Sequence, residues 1–172
     1  MKKKIKLLLS CFVLLFTVVT LSGCERANIY REFNNNGSSL AKSHILNEVS
    51  YKELYKLVDK TGEDDFIYVF FGTATNSASC TAVSIWNEQA QQYQIKTLYW
   101  LDSDLSSKKL DKIEERLGIN NIDTVPALWS FNNGKIYFDS SSSKCSKDGN
   151  VSLSNTELAE NCFKNLTSVR SN

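Results

Sequence analysis

"FIYVFFGTATNSASCTAV", residues Phe66 to Val83, joins a continuous apolar, β-rich run to a run with helical spacing. The unbroken apolar stretch from Phe66 to Phe71 suits a strand buried on both faces, as in a parallel sheet. From Ser77 onward Ala82, Val83, Trp86, Ala90 and Tyr93 recur at helical intervals, with Asn87, Glu88 and Gln91 expected largely on the opposite side. The stretch therefore reads as strand, short polar loop, helix, with one cysteine, Cys80, near the junction.

The same alternation continues in both directions. Upstream, Ser50-Tyr51-Lys52-Glu53 matches a capping box, and Leu54, Tyr55, Leu57 and Val58 follow at helical spacing until Gly62. Before that helix, "HILNEVS" (44–50) is a weak strand candidate. Downstream, "IKTLYWLD" (95–102) reads as a second buried strand and "SSKKLDKIEERLGI" (106–119) as a helix with Leu110, Ile113 and Leu117 inward and Gly118 as its stop. Pro126 then precedes "ALWSF", the turn Asn132-Asn133-Gly134, and "KIYFD", an antiparallel hairpin. A polar loop from Ser140 to Gly149 holds Cys145, and a last helix starting near Ser154 or Asn155 carries Leu158, Cys162, Phe163 and Leu166 on one face. Strands alternating with helices indicate an α/β fold.

The N-terminus carries a different signal. Lys2, Lys3, Lys4 and Lys6 precede an apolar run from Leu7 to Leu21 and then small residues, the pattern of a removable signal peptide. The run is shorter than the roughly 20 residues of a spanning helix. Leu21-Ser22-Gly23-Cys24 resembles the bacterial lipobox, which implies cleavage after residue 23 and a diacylglyceryl group on Cys24. Removal of 1–23 takes away four lysines and no acid, so the formal charge moves from +1 to −3. That balance offers neither a nucleic-acid footprint nor a polybasic membrane patch, and the expected membrane contact is the lipid. Residues 24–43, with Asn34-Asn35-Asn36-Gly37-Ser38-Ser39 and little apolar periodicity, are expected to be a flexible tether. The domain is expected to span 44–172, long enough for one core.

"FIYVFFGTA", "SASCTAVSIW" and "TVPALWSFNNGK", taken in this order of elements, resemble the thioredoxin fold. More narrowly, they resemble the lipoprotein and bacteriocin-accessory branch of thioredoxin-like proteins in Gram-positive bacteria. The resemblance implies a central mixed sheet with flanking helices, and a cis-proline loop at Thr124-Val125-Pro126 that presents backbone groups to an extended peptide. Pro126 is the chain's only proline. The family's Cys-x-x-Cys is degenerate here: counting from the helix face aligns Ser77-Ala78-Ser79-Cys80 with it, Cys80 in the second position, whereas counting from Gly72 aligns Asn76 and Ser79. The first register is preferred. In both the leading thiol is missing, and a serine hydroxyl cannot exchange disulfides. Ser77 or Asn76 then reads as an N-cap. Cys80 is open to three readings: a small packing residue, a lone thiol forming mixed disulfides, or a partner for another chain.

With Cys11 in the removed segment and Cys24 lipidated, Cys145 and Cys162 are expected to pair, since an exported domain meets no reducing pool. Lone His44 reads as structural, with no metal set around it, and no cofactor is indicated. Asp102 and Asp104 read as a strand end and a helix cap rather than paired catalytic acids. Trp100, Trp129 and Tyr137 read as core and sheet-face residues. The sequence thus leads to a lipid-anchored protein on the outer face of the cell membrane. Its groove beside Pro126 would bind peptides or exported segments without redox turnover. A single-cysteine oxidoreductase or isomerase acting through Cys80 is the alternative, and a structural part in an export or immunity apparatus is a third reading.

Overall fold

The computed structural model describes residues 24–119, 122–140 and 156–168. Its elements follow in the order β1 (Leu46–Glu48), α2 (Tyr51–Asp59), β2 (Phe66–Phe71), α3 (Ser77–Gln92), β3 (Leu98–Leu101), α4 (Ser107–Leu117), β4 (Ala127–Asn132), β5 (Lys135–Asp139) and α5 (Thr156–Ser168), preceded by a helix over 24–35, α1. The strands form one sheet in the order β1-β3-β2-β4-β5. β1, β3 and β2 run parallel, while β4 pairs antiparallel with β2 and β5 with β4. This mixed sheet with helices on both faces, and a cis peptide at Val125–Pro126, is the thioredoxin-like arrangement.

Side chains alternate across the sheet as the period of two requires. Tyr68, Phe70, Leu98 and Trp100 join the core beneath α1, α3 and α5, whereas Val69, Phe71, Leu101, Trp129 and Phe131 join the core beneath α2 and α4. The Phe71 and Trp129 rings stack in the second core at 4.6 Å. Ser50 and Glu53 form the expected capping box on α2. At the β4–β5 turn Asn133 and Gly134 both take positive φ, the geometry an Asn-Gly hairpin turn demands. Trp100 and Trp129 lie in the core, while Tyr137 on β5 is 37% exposed.

The N-terminal segment departs from expectation. Residues 24–43 are not a flexible tether but part of the domain: α1 buries Ile29 and Phe33, one turn apart, and the following turn buries Leu40 at 2% exposure. Phe33 meets the Trp100 ring edge-on at 4.9 Å and lies 6.1 Å from Phe70. The Asn34 amide donates to the carbonyls of Tyr30 and Leu40, at 2.9 and 3.0 Å, closing the helix end. Buried His44 donates from Nε2 to the Arg26 carbonyl at 2.9 Å, tying the start of α1 to the strand side. The polar asparagines therefore terminate a helix rather than dilute a linker.

This extra layer also changes α3. Asn87, expected on a wet face, is buried and its Oδ1 accepts from the Ile45 N–H at 2.9 Å, while Ser84 meets the Ser38 hydroxyl at 3.2 Å. Glu88 and Gln91 remain exposed. No helix among the described residues is long and apolar enough to cross a membrane.

Candidate functional site

β2 delivers the chain to Gly72, whose N–H donates to the Leu101 carbonyl at 3.3 Å. Its own carbonyl accepts from the Trp100 indole at 2.8 Å and from the Ser103 N–H at 3.3 Å. A Cβ on residue 72 would stand 2.8 Å from both Ser79 Oγ and Phe70 Cζ, so the close passage of strand end under helix start requires glycine.

α3 begins immediately above. Asn76 is its N-cap, with Oδ1 accepting from the Ser79 N–H at 2.9 Å and the Asn76 carbonyl accepting from the Cys80 N–H at 3.0 Å. Asn76, Ser77 and Ala78 are exposed, and the N–H groups of Ser77 and Ala78 open the helix without intrahelical partners. Ser79 is fully buried, its hydroxyl without a hydrogen-bond partner. Cys80 is buried at 2% exposure, and its thiol donates to the Ala74 carbonyl at 3.0 Å. Burial pushes its pKa up, against the direction a nucleophilic thiolate requires.

The helix is thus capped by Asn76 rather than Ser77. An N-cap side chain and the residue three positions on lie side by side, as in a capping box, so Asn76 and Ser79 are adjacent at the helix mouth. Ser77 is exposed on the first turn, while Cys80 points into the core. The helix-face count lost its discriminating power because α3 is covered on two sides, by the sheet and by the N-terminal segment.

The proline loop reaches the same end of the sheet. Phe71 pairs with Ala127, so Pro126 sits one step along the register, opposite Gly72. Thr124 is exposed, Val125 and Pro126 are half-buried, and the Val125 side chain packs on the α2–α4 core. The backbone groups of Thr124 and Val125 make no hydrogen bond to another described residue. The fold therefore brings residues 76–80 and 124–126 together at one edge, with unspent backbone donors and acceptors on both segments.

The other candidate residues lie elsewhere. Cys24 is an exposed free thiol on α1. Cys162 is disulfide-bonded and fully buried on α5, and its expected partner Cys145 lies outside the described residues, as does 1–23. Asp104 does not cap α4: its N–H donates to Asp102 Oδ1 at 3.0 Å, and the cap position is Ser106. Among the described residues no group of three metal-ligating side chains occurs. Partial burial, then the charges of Asp102 and Glu48, raise the pKa of Glu32. Partial burial, then Glu25, Asp102 and Glu53, raise that of Glu48. A cavity of about 370 Å³ at the start of β2 is lined by Phe66, Tyr68, Gln94 and Lys96 among others, and one of about 530 Å³ lies on α1. Neither of these two includes the motif or the proline loop.

No protein-family description matches the chain, and no curated protein matches it. Solved structures are similar at low identity. The oxidised thioredoxin from Plasmodium falciparum is 13% identical, with a TM-score of 0.48 over 71% of this chain and 98% of that one. A protein with a thioredoxin fold is 15% identical, with a TM-score of 0.47 over 67% and 94% of the two chains. A chain from work on thiol resolution in the yeast mitochondrial 1-Cys peroxiredoxin, through the glutathione and thioredoxin systems, is 14% identical, with a TM-score of 0.44 over 56% and 85%. The chain has a thioredoxin-like fold by its strand order and connections, and what these proteins do is their own.

Proposed function

We propose that this protein is a lipid-anchored, extracytoplasmic thioredoxin-fold module that binds extended peptide segments beside Pro126 without redox turnover. The observation that carries the reading is the pairing of an open backbone edge with an inert thiol. Thr124 and Val125 offer backbone groups without partners among the described residues next to the α3 mouth, while Cys80 is buried and bonded to the Ala74 carbonyl. An extended chain can bond to such an edge through its backbone, as in strand addition, with no chemistry asked of the site. The alternative, turnover through Cys80, would need the first turn of α3 to open before a disulfide could reach sulfur. Attachment through Cys24 and location outside the cell rest on the lipobox-like Leu21-Ser22-Gly23-Cys24 and the preceding basic and apolar regions.

Backbone amide shifts of the labelled domain, titrated with a panel of unstructured peptides, test the binding reading. Shifts should concentrate on Thr73–Ser79 and Thr124–Ala127. Saturable binding that perturbs only other surfaces would overturn it.

A further inference from the structure

The docking of 24–43 onto the domain bears on how the domain meets a membrane. Had 24–43 been a flexible chain of about 20 residues, its r.m.s. reach of roughly 25 Å would have held the domain well beyond the Debye length of about 8–10 Å. Instead Cys24 already lies within α1, which is bolted to the core by Ile29, Phe33 and the His44–Arg26 bond. A group attached to Cys24 has no slack.

Helical spacing then decides which side faces that group. Cys24, Ala27 and Arg31 stand at i, i+3 and i+7 on one outward stripe; Tyr30 lies on the flank beside it, and Arg26, about 160° round the helix from Cys24, lines the far side of the hollow that Tyr30 borders. Glu25 and Glu32, also seven apart, fall on the other flank, where Glu32 lies near Glu48 and Asp102. The turn after α1 returns Lys42 to the basic side, its Nζ 5.7 Å above the Tyr30 ring. Arg26, Arg31 and Lys42 with Ala27 and Tyr30 line the shallow cavity of about 530 Å³. All three cations are exposed and none is ion-paired among the described residues. Arg31 spends Nε on the Ala27 carbonyl and one Nη on Asn28, which holds the guanidinium on this face. A hollow floored by a tyrosine and rimmed by three unpaired cations, within about 10 Å along the helix from the anchor position, complements a layer of phosphate esters.

We propose that this face of α1, centred on Arg26, Arg31 and Lys42, is a docking surface for anionic phospholipid headgroups that lays the domain directly on the bilayer at its anchor. The proposal rests on the reading of Cys24 as the lipid attachment site. Each cation near an anionic leaflet strengthens association about fivefold, so the patch sets orientation while the lipid sets residence. The mature chain is net −3 by sequence, so an anionic surface repels its other faces and favours this one.

The test reconstitutes the mature lipidated protein into vesicles of phosphatidylcholine alone or mixed with phosphatidylglycerol. It measures the acylation rate of Lys42 by a membrane-impermeant amine reagent, with exposed Lys112, on the opposite sheet face, as the internal reference. Mass analysis of the Cys24 peptide runs in parallel. On anionic vesicles Lys42 should react about tenfold more slowly than on neutral ones while Lys112 is unchanged, and about 0.5 M salt should erase the difference. Arg26→Gln/Arg31→Gln should bring Lys42 back toward the neutral-vesicle rate. Equal Lys42 rates on both vesicles, or equal slowing of Lys112, in protein whose Cys24 carries lipid would overturn the docking surface and leave the anchor standing. A Cys24 peptide without lipid would overturn the anchor reading, and the proposal with it.

Discussion

Truncating Phe33 to alanine separates a docked helix from a tether more sharply than any other single change. Phe33 is fully buried, lies edge-on against Trp100 at 4.9 Å and approaches Phe70 at 6.1 Å. Loss of a buried phenylalanine costs about 3–5 kcal/mol, of which aromatic geometry accounts for about 0.5–1.5 kcal/mol. With a urea slope of about 2 kcal/mol/M, the midpoint of unfolding should fall by about 1.5–2.5 M. Arg31→Ala on the same helix is the control, because its side chain is exposed and bonds only within α1. It should stay within about 0.5 kcal/mol of wild type. Equilibrium urea titration followed by tryptophan fluorescence reads both, since Trp100 is the ring that Phe33 touches. A Phe33→Ala midpoint within about 0.3 M of wild type would refute the docking of α1.

Acid should loosen the domain through His44, whose pKa burial lowers despite the bond to Arg26. Above about pH 6.5 the ring is neutral folded or unfolded and contributes no slope; below it the unfolded chain binds the proton more readily, so stability falls with pH until the lowered pKa is passed. His44→Gln should flatten that part of the urea-midpoint profile between pH 7 and 5, and an unchanged slope would count against it. Gly72→Ala should cost about 1–3 kcal/mol by forcing a Cβ against Ser79 Oγ and Phe70 Cζ, each at 2.8 Å, and thermal melts would show a neutral effect if the passage were looser. The expected Cys145–Cys162 bridge should appear in a non-reducing peptide map, and its reduction should lower stability by about 3 kcal/mol for a loop of about 17 residues; recovery of both as free thiols would remove it.

The sheet was legible because its strands carry their own signals. Phe66–Phe71 is apolar throughout, the Ser50–Glu53 capping box fixes the start of α2, and Asn133-Gly134 allows only a tight hairpin turn. α1 was hidden because its inward stripe is thin. Ile29 and Phe33 are its buried apolar anchors, with Leu40 after it, and the run Asn34–Gly37 that ends it resembles linker composition. Reading Ile29 and Phe33 as one turn apart, with asparagines and glycine as a stop, would have found it. The sequence leaves the cap of α3 open between Asn76 and Ser77 for a related reason: Ser84, Asn87 and Gln89 are buried, so polarity no longer marks the outer face of α3. The stronger local cue was Asn76 itself, a good N-cap four residues past a glycine that ends a strand. That Ser79 would lie buried beneath the loop, and that Gly72 would be needed to admit it, depends on a close approach that no spacing rule encodes.

Catalysed reduction of insulin disulfides, by wild type, Cys80→Ser and the double variant Asn76→Cys/Ser79→Cys side by side, tests the central claim most directly. Thiols at an N-cap and three residues on sit adjacent at a helix N-terminus, where the leading one is activated, whereas the Cys80 thiol is buried and bonded to the Ala74 carbonyl. Wild type and Cys80→Ser should both show the uncatalysed rate, with turnover appearing in the double variant. Turnover by wild type that is lost in Cys80→Ser would contradict it and make Cys80 the nucleophile of a single-cysteine enzyme.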